Sequence, residues 1–204
     1  MNMRSVQTTR DQLLSIAVEM FAEKGFAGTS LRSIAKQAEV SPALLVHHFG
    51  SKDALVKDAI SKTLGDWVAD EKAAMLDDES HQVENWQSLA AKGTTSLNFF
   101  RQALLAGGEY SQRLFDAAFL ESEALLDQMQ AVGRLKDISD KQTTALMMTI
   151  SGLGSVLFMS QIEQTLGGPI SSDQVASRLV NANQEMMQDG VFLPATATIK
   201  KTGR

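Results

Sequence analysis

The chain contains no cysteine, which excludes disulfides and thiolate-held metals. Only three prolines interrupt its 204 residues, so long stretches are free to remain helical. No apolar run reaches the ~20 residues that span a bilayer. The opening MNMRSVQTTRDQ lacks the apolar centre of a secretory signal. Also missing are His-x3-His, Glu-x-x-His and Walker-loop spacings, and Gly152-Leu153-Gly154 has no strand before it. No acid, base and nucleophile pattern emerges, so neither an enzyme nor a cofactor or metal is expected. The expected setting is the cytoplasm.

What is present is apolar surface with one period. Hydrophobic residues form 44% of the chain, enough for a substantial core, and they recur at three and four positions rather than two. That spacing predicts an all-α protein of about nine helices. Charge is spread unevenly. Residues 1–57 hold seven basic and five acidic side chains, a balance of +2; the whole chain carries −5, so the remainder carries −7. A slightly basic head on an acidic body suits an N-terminal segment that meets phosphate, despite the overall acidity.

Helix punctuation is dense at the N-terminal end. Thr9 and Gln12 read as a capping box opening a first helix along Leu13, Ile16, Ala17, Met20 and Phe21, closed by Gly25. Thr29 and Ser30 open a second helix that buries Leu31, Ile34, Ala35 and Ala38 and exposes Arg32 and Lys36. Ser41 as N-cap and Pro42 at the first position start a third, and Gly50 stops it. Within it Leu45 and Phe49, four apart, face inward. Ser51 caps a fourth, long helix to about residue 76. Further helices are expected at 82–92, 94–106 and 109–132. A capping box at Ser139 opens one running to Leu166, and another at Ser171 opens a last helix to about 188. The domain boundaries expected are 1–51 for the head and 52–190 for the body, with 191–204 a mobile tail.

The third helix, VSPALLVHHFGSK with its flanks, has about two turns and cannot stand alone. Two short helices joined by a tight turn, after a longer supporting helix, make a helix-turn-helix whose second member is free to enter a major groove. The stretch from Thr9 to Leu55, with AEKGF, GTSLRSIAKQAEVS and HHFGSK in that order, resembles the DNA-binding head of the TetR/AcrR family of bacterial transcriptional repressors. The resemblance implies a homodimer that binds a palindromic double-stranded DNA operator. It also implies a small, apolar effector held in the helical body, and pairing through the last two helices. Two other readings remain: a DNA-binding regulator switched by a partner protein, and a helical enzyme or carrier with a borrowed head.

The DNA-contact candidates are Thr29, Ser30, Arg32, Ser41, Ala43, Leu44, Val46, His47, His48 and Lys52. Val46 stands where the family usually has tyrosine; it cannot donate a hydrogen bond, so it touches a thymine methyl or simply packs. His47 and His48 point about 100° apart on a helix and do not readily share one metal ion. Lys52 stands where an ammonium and the amides of a helix start can meet the same phosphate. Arg4 and Arg10 either form an arm that reaches a minor groove or belong to a disordered terminus. The effector-pocket candidates are Trp67, Met75, Trp86, Phe100, Leu104, Phe115, Phe119 and Met148, residues that otherwise serve as core. The subunit-seam candidates are Met148, Gly152, Gly154, Ser155, Phe158, Val175 and Leu179, where small residues permit close helix approach.

Overall fold

The head's helices begin and end where local chemistry dictates, and that fixes the third helix on its scaffold. The computed structural model describes residues 9–76, 94–133, 135, 137–170 and 172–186, without the side chains of 70–76, 176, 180, 183 and 184. Among the described residues there are nine α-helices and no strand. They are α1 (Thr9–Gly28), α2 (Leu31–Gln37), α3 (Pro42–Phe49), α4 (Lys52–Leu76), α5 (Thr94–Ala106), α6 (Gly108–Ala131), α7 (Lys141–Leu157), α8 (Met159–Leu166) and α9 (Asp173–Gln184). The helix expected at 82–92 and the tail 191–204 lie outside the described residues.

Several expected boundaries shift. Thr9 lies inside α1 rather than before it. α1 breaks at Gly25 as expected, with φ +70°, but a further turn carries it to Gly28. A Cβ at Gly25 would also stand 3.0 Å from Gln102 Oε1, a flexible side-chain end that would have to shift, so it is the backbone shape that requires glycine. The cap of α7 is Asp140 rather than Ser139, and that of α9 is Ser172 rather than Ser171; each accepts the amide three residues on.

The largest departure is at 139–166. One helix is expected there, but the chain bends by 72° at Phe158, dividing it into α7 and α8. No proline is involved. Gly154-Ser155 stands one turn before the bend, and Ser155 Oγ donates to the Ser151 carbonyl at 2.9 Å. Gly-Ser pairs and hydroxyls bonded one turn back are recognised sources of helix kinks. Among the described residues no single helix is long and apolar enough to cross a membrane.

Head and body share one apolar core. The most extensive helix packing is that of α1 on α5. Phe21 and Phe26 meet Phe99 at ring-centroid distances of 6.4 and 5.6 Å, and Phe26 lies 4.9 Å from Tyr110. The cluster continues through Leu45 and Phe49 of α3, Leu55 to Leu64 of α4, and Phe100, Ala103 and Leu114. The short α3 therefore borrows its stability from long-range burial.

Candidate functional site

α2 and α3 are held at both ends. Ser30 Oγ accepts the Ser33 amide at 3.1 Å while Ser33 Oγ accepts the Ser30 amide at 2.9 Å, a reciprocal capping box. The turn that follows places Glu39 in the left-handed region, φ +55°, and returns the Val40 amide to the Ala35 carbonyl at 2.9 Å. Ser41 Oγ caps α3 by accepting the Leu44 amide at 3.3 Å, and Gly50 closes it at φ +76°.

On α3, Leu45 and Phe49 are buried, as their spacing predicts. Ala43, Val46 and His47 are exposed, three and four apart on one face, with Val46 48% exposed. Leu44 and His48 are half-buried, so they stand at the edge of that face rather than on it. His48 lies beside Phe49, ring centroids 6.2 Å apart, and its ring is steeply inclined to that of His47 at 5.5 Å. Ser30, Arg32, Lys36 and Ser41 are exposed around the same end of the molecule. Thr29 is not: it is buried, and its hydroxyl donates to the Met20 carbonyl at 3.2 Å. Among the described residues no group of three histidines or acids is placed to hold a metal.

Three polar links that sequence reasoning missed lock the head in place. The Lys52 ammonium donates to the Phe26 carbonyl, which secures the end of α1 to the start of α4. Arg10 pairs with Asp58 at 2.5 Å and lies 4.9 Å over the Phe49 ring, so it serves the fold of the head. The Tyr110 hydroxyl donates to Asp53 Oδ1 at 2.8 Å, joining α6 of the body to the first turn of α4. Burial and then the Asp53 carboxylate raise the Tyr110 pKa from its usual value. No local motif announces these pairs, since their partners stand 26, 48 and 57 residues apart. Arg4 lies outside the described residues.

In the body, Phe115 and Phe119 of α6 line an open groove of about 220 Å³ with Gln142, Thr143 and Leu146 of α7. Only the two phenylalanines are among the pocket residues expected. Phe100 is in the core, Trp67 stands edge-on to it at 6.3 Å, and Leu104 packs against the same cluster. Met148 is half-buried. Trp86 and the Met75 side chain lie outside the described residues. Gln142 and Thr143 have no periodic apolar signal, which is why the sequence did not mark them.

Of the expected seam residues, Gly152, Ser155 and Phe158 are exposed, and Met148, Gly154 and Leu179 half-buried. Val175 is buried within the protomer. Sequence reasoning did not include Met147 and Ile150, which are 60% and 49% exposed. Met147, Ile150, Gly154 and Phe158 form one stripe at helical spacing. Nothing lies within 4 Å of a Cβ built on Gly152 or Gly154.

Comparison with known proteins agrees with this geometry. Residues 13–59 match the bacterial regulatory proteins of the tetR family, and residues 94–193 match the tetracyclin repressor-like C-terminal domain. The HTH-type transcriptional regulatory protein RaaS of Mycobacterium tuberculosis is 32% identical over 170 residues, covering 79% of this chain and 76% of that protein. The HTH-type transcriptional regulator RutR of Escherichia coli is 26% identical over 200 residues, 92% of each chain. Among solved structures, FadR of Bacillus subtilis in complex with stearoyl-CoA has a TM-score of 0.64 at 19% identity, covering 89% of this chain and 98% of that one. A TetR-family regulator from Pectobacterium atrosepticum has 0.59 at 18%, covering 95% and 100%. With the helix-turn-helix of α2 and α3, an all-helical body and these matches, the chain belongs to the TetR family of bacterial transcriptional regulators.

Proposed function

We propose that the protein is a homodimeric repressor that binds a palindromic operator through α3 and is released by a small, largely apolar effector. The observation that carries this is the outer face of α3: Ala43, Val46 and His47 are free while Leu45 and Phe49 anchor the helix. Residues 1–51 read DNA, and 52–190 receive the effector and pair with the second copy. Operator binding places the protein with the chromosome in the cytoplasm.

Each part has its support. Apolar Ala43 and Val46 suit thymine methyls and shape, while His47 is the polar reader on that face. Ser30, Arg32, Ser41 and Lys52 supply phosphate contacts that fix register. Exposed Met147, Ile150 and Phe158 lie along one stripe and offer a self-complementary seam about a two-fold axis. The Phe115–Phe119 groove gives an apolar ligand a bed, with Gln142 and Thr143 as polar groups to orient it. The B. subtilis neighbour holds stearoyl-CoA in the same fold. An effector releases DNA only to the extent that it prefers the released state.

The test is selection of bound duplexes from a randomised pool, with wild type and His47→Ala. A palindromic motif is expected. His47→Ala should relax one or two positions per half-site, at about 1–3 kcal/mol each. No enriched motif in wild type would reject operator recognition, and an unchanged motif in the variant would remove His47 from base reading.

A further inference from the structure

We infer that Arg101 is an anion-binding residue of the body, so that the effector carries a carboxylate on its apolar frame. This deepens the effector reading above and rests on it.

Among the described residues, Nε of Arg101 is the one buried side-chain nitrogen or oxygen with no hydrogen-bond partner. Several other cations at the helix surfaces are engaged. Arg10 pairs with Asp58, Lys62 with Asp66, Arg113 with Glu109, and Lys141 with Asp127. Arg178 donates to the Leu166 carbonyl at 3.1 Å. Arg32, Lys36 and Lys57 lack such partners but are exposed, so solvent serves them. Arg101 is half-buried, and its Nε is buried with no protein acceptor.

The residue type makes this informative. A buried lysine relieves the same predicament by losing its proton, but a guanidinium stays charged and keeps five donors. Nε and one Nη make a side-on fork that fits the two oxygens of a carboxylate. Native folds rarely leave such a donor open, and one that is open calls for a functional explanation.

Its position agrees. Arg101 is on α5, between Phe100 and Ala103, which are buried in the core. Leu97, one turn earlier on the face of Arg101, is 7% exposed yet stands outside the cluster that joins head and body. α5 also packs against both α6 and α7, the two helices that wall the Phe115–Phe119 groove. A ligand with its chain along the groove and a carboxylate directed at α5 would satisfy both features.

The experiment titrates the full-length protein calorimetrically with octanoate and with octan-1-ol, which differ in the charged head. Wild type should bind octanoate about tenfold more tightly, the worth of a charge-assisted pair. Arg101→Met keeps the stem volume and should erase that preference, while Arg101→Lys keeps part of it. Equal affinities in wild type would overturn the anion site and leave an effector pocket standing. Binding of neither at millimolar concentration would overturn both. A preference that survives in Arg101→Met would overturn the assignment to this residue. The melting temperature of ligand-free Arg101→Met should not fall; a fall would show that the guanidinium already has a partner.

Discussion

Replacing Phe26 by alanine tests whether the head stands on the body through the aromatic cluster. Phe26 is 4% exposed and lies 4.8, 5.6 and 4.9 Å from the rings of Phe21, Phe99 and Tyr110. Phe→Ala at a site closed on every side costs about 3–5 kcal/mol, because the walls cannot collapse into the space. Each ring pair contributes about 0.5–1.5 kcal/mol of that beyond area. Phe26→Leu retains most of the volume and should lose mainly the ring pairing. The assay is urea unfolding at one fixed protein concentration, followed both by far-UV circular dichroism and by tryptophan fluorescence. Trp67 stands edge-on to Phe100, which belongs to the same cluster. If head and body share one core, both probes should shift together by the full amount in Phe26→Ala, with the slope unchanged. A loss under about 1 kcal/mol, or a fluorescence transition that stays put while the helical signal moves, would refute the shared core.

Three further outcomes follow from the contacts described. Lys52→Ala should weaken operator binding and flatten the plot of log K against log salt by about one unit; an unchanged slope would confine the ammonium to its bond with the Phe26 carbonyl. Gly154→Leu should have opposite effects on two quantities: it meets open space within the protomer and gains up to about 1 kcal/mol of helix propensity, yet it weakens dimerisation by sedimentation. Undiminished association would move the seam elsewhere. Tyr110 has its pKa raised above 10.0 by burial and by the Asp53 carboxylate, so its contribution to stability is full below the unfolded value and lost as pH rises through the folded one. Urea midpoints between pH 8 and 11 should therefore fall more steeply in wild type than in Tyr110→Phe, and parallel profiles would reject the Asp53 link.

Much of the head was legible because its signals are local. Ser41-Pro42 and Gly50 delimit α3 in the sequence as they do in space, and Leu45 and Phe49 are the buried pair their spacing predicts. Where two capping residues stand side by side, as at Ser139-Asp140 and Ser171-Ser172, pattern chose the first and the fold uses the second. The choice depends on where packing lets the helix begin. The bend at Phe158 escaped because glycine and serine permit a kink without requiring one. The Lys52, Arg10 and Tyr110 links escaped because nothing in a linear pattern pairs residues so far apart. Phe115 and Phe119 were named for the groove, but its polar half, Gln142 and Thr143, required the meeting of α6 with α7.

The 72° elbow between α7 and α8 bears on how the two subunits of the proposed dimer could move. A partner lying along one straight helix can slide by a turn, about 5.4 Å, and find equivalent contacts again. Seated against both limbs of an elbow, it loses that freedom, because travel along one limb lifts it from the other. On B-form DNA the forbidden slip equals more than one base-pair step of about 3.4 Å. In the dimer proposed above, a seam seated on both limbs would set translation between the two recognition helices, leaving rotation as the motion through which the proposed effector would act.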